Sequence, residues 1–114
     1  MALNGLKQNA KPKMVLVGLD GVPYSLLQKL SAEGCIPRMA SLFAGGYFGP
    51  MSVSIPEISS VSWSSFMTGA QPGEHGIYGF MDLQPNTYKL YFPNFRHLKS
   101  PTLWDDLARQ GKKT

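Results

Sequence analysis

Apolar positions along the chain fall into short runs separated by glycine and proline. The longest run, Met14, Val15, Leu16, Val17, Gly18 and Leu19, ends on Asp20 and Gly21. Both faces of such a strand want burial, which suits the centre of a parallel sheet. Pro23 then fits the first turn of a helix on which Leu26, Leu27 and Leu30 recur at helical spacing, and Gly34 stops it. Pro37 opens a second short helix with Met39, Leu42 and Phe43 on one face, closed by Gly45 and Gly46. Residues 47–55 read as a second strand, ending in the alternation Ser52, Val53, Ser54, Ile55 and stopped by Pro56.

A serine-rich stretch covers residues 57–69. Its second half sets Trp63, Phe66 and Met67 at helical spacing ahead of Gly69, predicting a short helix from near Val61. Residues 70–79 read as a loop built on Gln71, Pro72, Gly73 and Gly76, and residues 88–92 as a peripheral strand. Ser100 suits an N-cap with Pro101 at the first helical position. Leu103, Trp104, Leu107 and Ala108 then form an apolar face that Gly111 ends.

Strands alternating with helices predict an α/β domain with a mainly parallel sheet. The last residues, Lys112, Lys113 and Thr114, follow a helix-stopping glycine, where the next strand of such a domain would begin. The expected organisation is therefore a flexible basic tail over residues 1–13, then the N-terminal portion of a larger, truncated α/β domain over residues 14–114.

Composition narrows the function classes. The 114 residues are 43% hydrophobic and 16% charged, which is globular rather than disordered. Eleven basic residues against seven acidic ones leave a formal charge of +4, much of it near the two ends. No basic stripe interleaves with stacking aromatics, so nucleic acid is not expected as a structural partner, whereas a phosphate-bearing substrate suits the charge. No apolar run reaches membrane-spanning length, so no membrane partner is expected and a cytoplasmic location is the default. The single cysteine, Cys35, permits no internal disulfide and agrees with a reducing compartment.

Three positions carry candidate chemistry. Asp20 follows directly on the first strand, and in open α/β sheets ligands sit beyond the carboxyl ends of strands. A carboxylate there suits a hard or borderline cation. Ser59 and Ser60 lie between the second strand and the next helix, where free backbone N–H groups and the helix dipole favour a phosphoryl oxygen. A serine hydroxyl needs a base or a metal to become a nucleophile, and with no histidine–carboxylate relay nearby a metal is the better route. Taken singly, each has an ordinary structural reading as a helix cap. His75, within Gly73, Glu74, His75, Gly76 and Ile77, reads more readily as a structural hydrogen bond in a tight turn than as a metal ligand. His97 reads as surface.

Together these segments resemble a known family. Val15 to Gly21 looks like the opening of type I phosphodiesterases/nucleotide pyrophosphatases of the alkaline phosphatase superfamily. The stretch from Ser59 through Trp63 and Thr68-Gly69, then Gln71-Pro72-Gly73-Glu74-His75-Gly76-Ile77, is similar to their nucleophile segment, and Pro101-Thr102-Leu103-Trp104 to their next helix. The resemblance implies an alkaline-phosphatase-like three-layer α/β/α fold and hydrolysis of a small-molecule phosphate ester. It makes Asp20 a metal ligand and Ser59 both a metal ligand and the nucleophile of a covalent phosphoryl-serine intermediate, and it places Ser60 and Ser62 at the substrate. Ser62 stands where nucleotide pyrophosphatases carry an asparagine, which leaves that subgroup's substrate open. Two zinc ions about 4 Å apart are implied for the full-length enzyme. The other ligands are absent here, so the fragment alone is expected to be inactive.

Two alternatives remain. One is another superfamily branch, a phosphomutase or phosphonate hydrolase. The other is a non-catalytic α/β binding module, which would have a self-contained sheet. A sulfatase does not fit, because Cys35-Ile36-Pro37-Arg38 has the wrong spacing for its modified nucleophile.

Overall fold

The computed structural model describes residues 13–114. The expected flexible tail, residues 1–13, lies outside the described residues apart from Lys13. Among the described residues, five α-helices, a two-stranded hairpin and one 3-10 turn follow in the order α1 (Tyr24–Ala32), α2 (Pro37–Gly45), α3 (Ser59–Thr68), α4 (Pro72–His75), β1 (Asp82–Leu83), β2 (Leu90–Tyr91), the 3-10 turn (Phe95–His97) and α5 (Leu103–Arg109).

The helices start and stop near where the punctuation predicts. Pro23 is the N-cap of α1, and its carbonyl accepts from the amides of Leu26 and Leu27 at 3.1 and 3.3 Å. Helix α2 begins on Pro37, whose missing N–H would have been unsatisfied there in any case. The two helices pack on each other and share Phe48. Its ring stacks on Phe43 with centroids 3.9 Å apart and meets Tyr24 at 4.7 Å.

The sheet departs from expectation. Residues 14–19 and 47–55 form no β-ladder, and the sheet among the described residues is the antiparallel hairpin β1–β2, with Asp82 opposite Tyr91 and Leu83 opposite Leu90. A strand pattern becomes a ladder only when a neighbour supplies the matching N–H and C=O groups, and neither segment has one among the described residues. Apart from Phe48, both leave most of their apolar side chains open. Val15 is 84% exposed, Val17 76% and Ile55 83%.

Three smaller corrections concern turns. Helix α3 starts at Ser59 rather than near Val61, because the Ile58 carbonyl accepts from both Val61 and Ser62. Within the predicted loop of residues 70–79 stands the one-turn helix α4. Glu74 reaches back to the Gln71 amide at 2.9 Å, and Gly76 closes the turn at φ +77°, a conformation that costs a residue with a Cβ more. Helix α5 is capped by Thr102 rather than Ser100. The Asp105 carboxylate accepts from the Thr102 amide and hydroxyl at 2.7 Å each, which holds that carboxyl below its ordinary range.

His97 is likewise more than surface. Its Nδ1 accepts from the Asn94 amide at 3.0 Å, and its ring meets Tyr91 at 4.9 Å, so it ties the 3-10 turn to the hairpin. No helix among the described residues is long and apolar enough to cross a membrane.

The tightest packing lies where α3 meets α4 and α5. Val61 is fully buried and Ile77 is 4% exposed, and the polar side chains of Ser64, His75 and Thr102 are buried with them. His75 is the largest of these and is wholly enclosed. Its Nδ1 accepts the Ile77 amide at 3.1 Å, so the neutral ring carries its proton on Nε2, 3.0 Å from Ser65 Oγ on α3. Its carbonyl accepts the Lys99 amide at 3.0 Å. One residue thus joins α3, the α4 turn and, through its backbone carbonyl, the segment leading to α5.

Burial holds the His75 pKa below the ordinary imidazole value, against a smaller opposing effect of Glu74. The unfolded chain then binds a proton at a higher pH than the folded one. The associated stability is present above about pH 6.5 and is lost as pH falls from there towards the lowered folded value. Chemical denaturation across that range should show stability falling with acidification, and a His75→Gln variant, which keeps a neutral acceptor, should lose less. A flat profile in the parent chain would contradict the role given to this ring.

Candidate active site

Helix α3 contains six hydroxyl side chains, and their partners separate them. Ser64 and Thr68 donate to the carbonyls four residues back, Ser60 and Ser64, at 2.7 Å each. Ser65 meets His75, and Ser62 Oγ lies 3.0 Å from Ser54 Oγ. The Ser60 hydroxyl is buried and has no partner among the described residues. Ser59 alone faces a carboxylate, with its Oγ donating to Asp20 Oδ1 at 3.2 Å.

Neither Asp20 nor Ser59 is a helix cap. The N-cap of α1 is Pro23 and that of α3 is Ile58, and neither receives a side-chain cap bond. The ordinary structural reading of both residues therefore fails here. They meet across 39 positions of sequence, at the end of the first apolar segment and on the first residue of α3.

Ser59 and Ser60 occupy the first two positions of α3, and their amides have no backbone acceptor among the described residues. These N–H groups are among those that any helix start leaves free, and they sit at the positive end of the helix dipole. An anionic oxygen beside Ser59 would meet them. Asp20 is exposed and Ser59 half-buried, so the pair is open to solutes. An apolar groove runs beside it, lined by Leu19, Met51, Val53, Trp63 and Phe66 among others.

A carboxylate and a hydroxyl in contact are suitable oxygen donors for a divalent cation. They make only part of a site, since no group of three or more His, Cys, Asp or Glu side chains converges among the described residues. His75 does not join it, because both ring nitrogens are engaged in the buried cluster. His97 is held at the hairpin.

Ser62, expected at the substrate, has its hydroxyl taken up by Ser54, a residue the sequence pattern did not single out. The sequence signal for Ser54 was slight, a serine in an alternating run. The link between Ser65 and His75 was equally hidden, because nothing local shows which serine of α3 turns inward.

No solved structure matches the chain. A family model described as type I phosphodiesterase / nucleotide pyrophosphatase matches residues 14–114. The match begins at the apolar segment leading to Asp20 and takes in all of α3. The chain therefore belongs to the type I phosphodiesterase / nucleotide pyrophosphatase family, a family of phosphoric ester hydrolases.

Proposed function

We propose that this chain carries the nucleophile and part of the first metal site of a metal-dependent phosphoric ester hydrolase that works through a phosphoserine at Ser59. The observation that carries this reading is the 3.2 Å contact between Ser59 Oγ and Asp20 Oδ1, at a helix start with free amides. No other hydroxyl of α3 faces an acid, and that of Ser60 is buried.

Ser59 Oγ gives up its proton and forms the bond to phosphorus as the bond to the leaving oxygen breaks, and that oxygen departs as the alcohol with a proton in exchange. Water later cleaves the phosphoserine, freeing the phosphoryl group and restoring the hydroxyl. The amides of Ser59 and Ser60 hold an equatorial phosphoryl oxygen. Ser60 thus meets substrate through its backbone, and Ser62 does so with the hydroxyl that Ser54 orients. A divalent cation held by Asp20 and Ser59 supplies the Lewis acidity that lowers the pKa of the serine hydroxyl. Two zinc ions are the proposed complement. With one carboxylate and one hydroxyl in place, the remaining ligands come from outside the described residues. The substrate is a small-molecule phosphate ester, and the single, exposed Cys35 thiol is in keeping with a reducing, cytoplasmic setting.

Two results are expected. In a complete enzyme containing this chain, Ser59→Ala should lower hydrolysis of a phosphodiester by roughly a thousandfold or more, while Ser60→Ala, which removes an unpartnered buried hydroxyl, should stay near the parent in both rate and stability. The reverse ranking would move the nucleophile to Ser60. Calorimetric titration of the 114-residue chain alone should show weak zinc binding that Asp20→Asn abolishes. Tight binding, or binding indifferent to Asp20, would contradict the assignment of this carboxylate.

A further inference from the structure

The Ser59–Asp20 contact has a second contact in step with it. A Cβ built on Gly18 would lie 2.4 Å from Cη2 and 2.7 Å from Cζ3 of Trp63, closer than any real side chain could stand. The backbone at Gly18 is not in the left-handed region, so the need for glycine there is steric rather than conformational. The indole therefore rests directly on the main chain of residue 18.

The spacing of the two contacts follows from elementary geometry. Ser59 and Trp63 are four residues apart on α3 and so lie on one face, separated by about 6 Å along the axis. Gly18 and Asp20 are two residues apart, Asp20 at the turn that ends the segment, and two residues of extended chain span about 6.6 Å. The two repeats match to within a fraction of an ångström. Trp63 against Gly18 and Ser59 against Asp20 are thus successive contacts between a helix and a segment running in opposite directions. Phe66 then braces the indole edge-on, with centroids 5.8 Å apart and rings at 86°.

We infer that Gly18 and Trp63 are positioning residues: the indole on the bare backbone sets how close α3 approaches the 14–20 segment, and thereby holds Ser59 Oγ within reach of Asp20. Their catalytic meaning rests on the proposed role of Ser59, whereas the register itself does not. A side chain at residue 18 lifts the helix and parts the pair. A smaller residue at 63 lets it settle again.

The test reads proximity instead of turnover. In a Cys35→Ser background, Asp20→Cys and Ser59→Cys place two thiols at the contact, and Cd2+ bridging them is followed by its cadmium–thiolate absorbance. Adding Gly18→Ala should weaken Cd2+ binding by about tenfold or more, and adding Trp63→Leu to that chain should restore most of the affinity, a coupling of the size expected for residues in contact. The rescue also covers the case in which Gly18→Ala alone unfolds the chain, because circular dichroism and Cd2+ affinity should then recover together. Unchanged affinity in Gly18→Ala, or a loss that Trp63→Leu fails to reverse, would overturn the inference. Failure of Ser59 as a nucleophile would leave these binding results as they stand, so the two ideas fail separately.

Discussion

The indole of Trp63 lies on Gly18, and the hydroxyl of Ser59 lies on Asp20 one helical turn away. These two contacts, the Ser54–Ser62 bond and the His75 cluster decide where α3 sits. Four residues of helix and two of an extended segment cover nearly the same length, so a helix laid antiparallel on such a segment can repeat its contacts once per turn. One of the two repeats is apolar and bulky and fixes distance. The other is polar and small and is available for chemistry. The catalytic proposal depends on this division, because a serine at a helix start has no special reactivity until something holds it against a charged partner.

The far side of α3 is anchored differently. His75 is buried with its nitrogens satisfied by Ser65 and Ile77, and its carbonyl by Lys99. A buried polar group whose partners are all present confers rigidity, whereas one left unpaired costs stability. Ser60 is the contrast, with a buried hydroxyl that finds no partner among the described residues. Neighbouring serines in one helix thus have opposite standing, one poised at the surface and one enclosed. On the proposed reading, the nucleophile falls to the outer position and the phosphoryl oxygen to the free amides, with Ser62 beside them.

Much of the helical plan was legible in the sequence. Pro23, Pro37 and the leucine spacing mark α1 and α2 because proline and glycine act locally on the backbone. The Thr102–Asp105 box and α4 were missed, since in each case a side chain reaching three residues back outcompeted a more obvious turn residue. The parallel sheet was the largest departure. Residues 14–19 have the pattern of a central strand, but pairing is non-local and the pattern alone does not say which neighbour supplies the ladder. As for the site, Asp20 and Ser59 could be singled out by their places at the ends of elements. That they touch, and that Ser62 and Ser65 pair with Ser54 and His75, depends on helix orientation that no local signal encodes.

The side chain that takes up phosphate during turnover can be identified directly. A complete enzyme containing this chain would be mixed with a phosphate ester, quenched in acid and digested, and the phosphorylated residue located by mass spectrometry. A single phosphoserine at Ser59 is expected. Phosphate on Ser60 or Ser62, or turnover with no covalent phosphoryl-enzyme at all, would contradict it.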